Sequence, residues 1–231
     1  NIKMVITGSG RVANGACETM GAMNLRKVTP YEFQNYTFRE PVYVQLHSED
    51  YFKAKDNSPF SSWECHHNPA SYRCTFSDHD SYASMTDVLI HCTFWDPRAD
   101  IMFSKERMSD PDFRISVIAD VTCDVNGSIP STERATTIED KFYGYNPLTE
   151  KETDAFNKAA ITVMAVDNLP CELPRDASDG FGKHLIERVF PSLFGEDSTG
   201  IIERGTILKN GKLTDRFGYL KAYAEGEVIE D

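Results

Sequence analysis

The 231-residue sequence predicts an α/β protein, a doubly wound parallel sheet with helices on both faces, and two observations carry that expectation. The first is a set of five apolar, β-branched-rich runs at residues 4–6, 41–46, 87–92, 115–119 and 161–166. Parallel strands buried on both faces read as continuous apolar runs, and the polar stretches between them supply the crossovers. The second is Gly8-Ser9-Gly10-Arg11-Val12-Ala13, placed directly after the first run and followed by helix formers through Met23. A glycine pattern at a strand-to-helix turn suits the pyrophosphate of a dinucleotide, so the fold is expected to be Rossmann-like. Gly8 permits the tight bend, Gly10 lets the backbone approach phosphate, and Ala13 allows close helix–strand packing. After Val12 the helix begins, and the unpaired amides and partial positive charge of its start favour an anion.

The remaining elements follow in order. Residues 27–40 intervene before the second strand, which ends at His47-Ser48-Glu49-Asp50. Residues 58–82 are polar and aromatic, with Trp63, Cys65, His66, His67, Tyr72, Cys74 and His79, and read as an insertion. Their spacing fits neither a CxxC pair nor HxxxH, so a histidine-bearing surface loop is expected and no metal site. Turn residues Gly127, Pro130, Gly144 and Pro147 mark a long loop over residues 126–157. A helix is expected over residues 176–194 with Gly195 as its stop, then an edge strand at 201–208 and a closing helix at 213–224. The organisation read from this pattern is a dinucleotide-binding domain over residues 1–200 and a return segment over 201–231.

Composition narrows the function classes. A net charge of −12 argues against nucleic acid as a partner, because duplex binding draws on clustered Lys and Arg. No apolar stretch reaches the roughly 18 residues of a membrane helix, and no secretory leader stands at the start, so a cytoplasmic chain with no membrane partner is expected. The six cysteines are scattered and read as reduced thiols.

Three segments of the second half are more specific: Asp120-Val121-Thr122-Cys123-Asp124 with Gly127-Ser128-Ile129-Pro130, Thr136-Thr137-Ile138 with Phe142-Tyr143-Gly144-Tyr145-Asn146-Pro147, and Met164 through Ser178, which includes Val166-Asp167-Asn168-Leu169-Pro170. With Phe94-Trp95-Asp96-Pro97 they resemble the lysine-forming saccharopine dehydrogenases and the related lysine-ketoglutarate reductase domain, within the alanine dehydrogenase-like group. The resemblance implies two Rossmann-like domains with the active site in their cleft, of which this chain matches the C-terminal, NAD-binding one. It implies hydride transfer between nicotinamide and the secondary-amine carbon of saccharopine, interconverting it with lysine and 2-oxoglutarate. By the same analogy Gly8, Gly10, Arg11 and Val12 form the pyrophosphate turn, Phe94 borders the nucleotide, and Val166, Asp167, Asn168 and Leu169 stand at the nicotinamide end. Thr122, Cys123 and Asp124 match positions that face the amino-acid substrate. The family's catalytic lysine and histidine belong to an N-terminal domain, so the acid and base are expected upstream of Asn1, in a missing domain or a complementing chain on which residues 201–231 would dock.

Glu49 or Asp50 is the candidate for the ribose diol, and with no arginine at that strand end NAD is expected rather than NADP. For Asp120 and Asp124, turn capping and acid–base work both stay open. Two other functions remain: an alanine dehydrogenase-like enzyme, and a non-catalytic dinucleotide-binding subunit.

Overall fold

Residues 1–226 are described by the computed structural model. They form two compact units, the first ending at Asn168 and the second beginning at Leu169. The sheet-bearing unit thus ends before residue 200, where the sequence pattern set the domain limit, and the last five residues of the expected return segment lie outside the described residues.

The first unit opens with β1 (Lys3–Thr7), the glycine turn and α1 (Arg11–Ala22), followed by β2 (Arg26–Lys27), α2 (Pro30–Asn35) and β3 (Val42–Leu46). Helix α2 starts where it does because Thr29 and Glu32 form a reciprocal capping box and Pro30 fixes the first helical position. One helical turn, α3 (Ser48–Tyr51), leads to β4 (Phe52–Ala54), which pairs antiparallel with β5 (Tyr72–Cys74) across α4 (Ser62–His67). The expected insertion, residues 58–82, therefore holds α4 and β5, and its strand pairs with β4 just before it. Next come β6 (Val88–His91), α5 (Lys105–Met108), β7 (Val117–Asp120), β8 (Tyr143–Asn146), β9 (Lys151–Thr153) and β10 (Ile161–Met164).

Eight strands join in the order β2-β3-β1-β6-β7-β10-β8-β9. All pairs from β2 to β10 are parallel, and β8 and β9 add an antiparallel edge. The five runs read from sequence are thus the five central parallel strands. The expected loop over residues 126–157 instead contributes β8 and β9 to the sheet.

Both faces of the sheet are covered. On one, α1 packs Ala13, Ala16, Cys17 and Met20 against Ile6 and Tyr43. On the other, Val5, Val44, Leu89, Ile118 and Val163 meet Phe33 of α2, Tyr51 of α3 and Met108 of α5. Phe33 is fully buried, and burial of a phenylalanine contributes about 1.5–3 kcal/mol. Because β3 follows β1 to one side while β6 lies on the other, the winding reverses between β1 and β6. In open α/β sheets ligands bind at the carboxyl ends of the strands at such a reversal.

In the second unit a helical path runs through α6 (Pro174–His184), a wider turn at Leu185–Val189 and α7 (Phe190–Phe194), matching the expected helix up to Gly195. Pro191 offers no amide to the turn before it, which accounts for the widening. Residues 201–208 do not form the expected edge strand. They begin with α8 (Ile201–Gly205), because the Asp197 carboxylate accepts from the amides of Ile201, Ile202 and Glu203. A short hairpin, β11 (Leu208–Lys209) with β12 (Lys212–Leu213), is followed by a 3-10 segment, Asp215–Leu220, and α9 (Lys221–Ala224), where one closing helix was expected. No helix among the described residues is long and apolar enough to cross a membrane.

Candidate functional site

At the end of β1 the chain turns on Gly8, whose φ is +105° and whose absent Cβ would sit 2.9 Å from the Cys92 carbonyl oxygen. Only glycine fits there. The turn is pinned by the Gly8 amide donating to the Leu46 carbonyl (2.8 Å), and by the Gln45 side-chain amide donating to the Gly8 carbonyl and to Asn14 Oδ1 (both 3.1 Å). Gly10 is different. Its φ of −78° is open to any residue, and a Cβ built on it meets nothing within 4 Å. Neither backbone geometry nor packing requires glycine at this position, so the space in front of it is left clear.

Gly10 also gives α1 no side-chain cap, and the first turn of α1 carries no acidic residue. The amides of Arg11, Val12 and Ala13 have no hydrogen-bond partner among the described residues. Arg11 is exposed and makes no ion pair among them. A twelve-residue helix thus points uncapped donors and a free guanidinium into open space at the reversal point, which suits an anion. Ala13 is fully buried against the sheet, as its place in the motif requires.

Beside this turn lies a cavity of about 260 Å³ lined by Val12, Cys92, Phe94, Thr122 and Asp124, among others. It gathers sequence-singled residues from the start of α1 and from beyond the ends of β6 and β7. Cys123 takes a left-handed conformation with φ +48°, and burial together with Asp120, Asp124 and Asp167 pushes its thiol pKa up, which keeps it protonated and unreactive. Burial and then Asp120 also raise the pKa of Asp124. Asp167 is thereby placed near the β7 end. Val166 is held by a parallel bridge to Thr136, with the Thr136 amide donating to the Ala165 carbonyl, and leaves Asp167 and Asn168 exposed beyond it. Leu169 begins the second unit.

The β3 end separates the two ribose candidates. The Asp50 carboxylate accepts from the His47 amide at 2.7 Å and so caps α3. Glu49 is exposed and makes no hydrogen bond or ion pair among the described residues.

Beneath the site runs a polar network that sequence reasoning largely missed. His91 is buried at the end of β6, where Thr7 Oγ1 stands 2.9 Å from Nδ1 and Ser128 Oγ 2.8 Å from Nε2. Thr7 Oγ1 also accepts from the Cys92 amide at 3.3 Å. Burial depresses the His91 pKa to about 4, against a smaller opposing effect of Asp120, so the ring is neutral. Asp120, also buried, accepts from the Thr122 amide and hydroxyl (3.2 and 2.6 Å) and from the Thr132 hydroxyl (2.7 Å). Of the two roles open for Asp120, this arrangement is the capping one. Of its members, Asp120 and Thr122 stood out in the sequence, while the contacts of His91 with Thr7 and Ser128 and of Asp120 with Thr132 join residues distant along the chain.

Fold and site together define a Rossmann-like α/β domain with an open, donor-rich glycine turn at its winding reversal. No family model matches the chain. It is homologous over nearly its whole length to proteins named alpha-aminoadipic semialdehyde synthase: one from Arabidopsis thaliana is 28% identical over 239 residues, and one from Mus musculus, named mitochondrial, is 23% identical over 253. These alignments cover 94% and 97% of the chain but 22% and 27% of the relatives, so the chain spans about a quarter of their length. The resemblance to the lysine-ketoglutarate reductase and saccharopine dehydrogenase family is thereby borne out. A cytoplasmic location gains no support from the mammalian names.

Proposed function

We propose that this chain is the dinucleotide-binding part of an oxidoreductase that interconverts saccharopine with lysine and 2-oxoglutarate. The observation that carries this reading is the uncapped start of α1 behind Gly8 and Gly10, in a chain homologous from end to end to semialdehyde synthases. The amides of Arg11, Val12 and Ala13 would hold the pyrophosphate, with the Arg11 guanidinium countering its charge. Glu49 would receive the ribose diol, since Asp50 is committed to its cap. A 2′-phosphate would meet the Glu49 carboxylate with no arginine at that strand end, so NAD is preferred over NADP. Bound there, a nicotinamide supplies hydride chemistry while the protein supplies position and electrostatics.

The residues beyond β7 and β10 act on the substrate side. Asp124 and Asp167 give that end of the crevice negative charge, suited to an amine, and Thr122 offers its surroundings a hydroxyl already ordered by Asp120. Asp120 orders this loop rather than moving protons, because three donors hold its carboxylate. The groups that donate and accept protons would come from the part of the relatives' length that this chain does not span.

Calorimetric titration with NADH and NADPH tests the reading. NADH is expected to bind more tightly, and Glu49→Gln to narrow the gap. Absence of binding by either dinucleotide, or tighter binding of NADPH, would count against it.

A further inference from the structure

His91 is buried at the end of β6 and lines neither the cavity with Thr122 and Asp124 nor the neighbouring one, of about 230 Å³, between the ends of β3 and β6. Its two ring nitrogens nevertheless reach three hydroxyls, each on a different wall of the crevice. Thr7, with Oγ1 2.9 Å from Nδ1, directly precedes Gly8. Thr93 Oγ1 stands 3.2 Å from Nε2, and this residue lines both cavities. The Thr93 methyl would also lie 3.2 Å from a Cβ on Gly8, so the loop after β6 is seated against the glycine turn. Ser128 Oγ, 2.8 Å from Nε2, belongs to the loop after β7. It follows Gly127, whose amide donates to the Asp124 carbonyl at 2.9 Å, and this ties it to the segment that carries Thr122, Cys123 and Asp124.

Pairing within the sheet fixes where β1, β6 and β7 end, but not how the chain lies beyond them. The loop after β7 needs support most, because Cys123 and Asn126 both take left-handed backbone, at φ +48° and +55°. Non-glycine residues keep such conformations only where their surroundings hold them. A neutral imidazole has one donor and one acceptor, and a hydroxyl can play either part, so both nitrogens are answered whichever carries the proton. Asp120, opposite His91 on β7, takes its hydrogen bonds from Thr122 and Thr132 instead. Hydrogen bonds fix direction, whereas apolar burial does not. An apolar side chain in place of His91 would fill the space without orienting the three segments around it.

We propose that His91 is a positioning residue: through Thr7, Thr93 and Ser128 it locks the glycine turn, the loop after β6 and the loop after β7 into one arrangement, and the affinity of the crevice for a dinucleotide depends on that lock. The choice of ligand rests on the dinucleotide reading above, whereas the lock is a property of the free chain. His91 acts here without touching the ligand.

The test compares the parent chain with His91→Leu and with the double variant His91→Leu, Ser128→Ala. Each is measured by calorimetry with NADH, by its melting temperature, and by backbone amide relaxation in NMR without ligand. His91→Leu leaves the buried Ser128 hydroxyl without its partner and is expected to melt below the parent. In the double variant that hydroxyl goes with the ring, while Thr7 Oγ1 keeps the Cys92 amide, so most of the lost melting temperature is expected to return. NADH affinity is not expected to return with it, and should stay about tenfold below the parent's. The amides of residues 8–10, 93–95 and 122–128 should become more mobile together while those of β1, β6 and β7 stay ordered. If affinity and melting temperature fall and recover in step across the variants, His91 only packs, and the lock is overturned while dinucleotide binding stands. If the parent binds no NADH, the dinucleotide reading fails and relaxation alone decides. Joint loosening of the three segments would then uphold the lock, and unchanged order would refute it.

Discussion

Replacing each glycine of the turn by alanine separates what the fold needs from what a ligand needs. At Gly8 the backbone sits at φ +105° and a Cβ would lie 2.9 Å from a backbone oxygen, which cannot swing away as a side-chain tip would. Conformations of this kind cost a non-glycine residue about 1–3 kcal/mol before any clash is added. For a chain of this size that is a fall of about 2–12 °C in melting temperature. At Gly10 two small effects oppose. Alanine is a poorer N-cap than glycine, a loss of about 0.5–1 kcal/mol, while the stiffer unfolded chain returns about 0.4–1 kcal/mol at a φ alanine adopts freely. Gly10→Ala should therefore fold and melt within a few degrees of the parent. Its added methyl nevertheless occupies the space in front of the α1 amides, so NADH affinity is expected to fall by at least tenfold, read by calorimetry beside a urea melt. A folded Gly10→Ala protein that binds NADH as tightly as the parent would refute the anion cradle at this turn.

Other outcomes follow from the network below the site. His91 is neutral when folded, with a pKa near 4 against 6.5 in the unfolded chain, so the unfolded state binds the proton first as pH falls. Stability is therefore full above pH 6.5 and declines between 6.5 and about 4 by roughly 3 kcal/mol in all, and His91→Gln should flatten that part of the urea-midpoint curve. A profile unchanged by the substitution would mean that His91 protonates in the folded state. Asp120→Asn removes the charged acceptor of three donors and should cost about 1–3 kcal/mol of stability, which chemical denaturation would show. A variant of parental stability would refute the capping role of Asp120. Asp197→Ala should unwind the start of α8, seen as lost amide-exchange protection at Ile201, Ile202 and Glu203, and unchanged protection there would refute the capping role.

Much of the central sheet was legible because burial on both faces leaves one readable mark, a continuous apolar run, and residues 4–6 or 161–166 carry it plainly. The motif at Gly8 was legible for a local reason, a conformation and a close approach that only glycine accommodates. What escaped reading depends on partners distant in sequence. Strands β8 and β9 lie among turn residues, and nothing local shows that Tyr143 and Tyr145 are buried by the sheet they join. The pair Ile201-Ile202 looks like strand, yet it starts a helix because a carboxylate four residues earlier takes its amides. His91 bonds across 84 residues to Thr7 and across 37 to Ser128. Glu49 and Asp50 were read as ribose candidates on position alone, and the cap that Asp50 forms with His47 depends on a local geometry that position does not reveal.

The most direct measurement is a backbone amide NMR titration with NADH. The signals of Gly10, Arg11, Val12 and Ala13 should shift together and saturate with one binding constant, because those amides would gain phosphate oxygens as acceptors. Saturable NADH binding that left these four signals in place and moved another region instead would contradict the account.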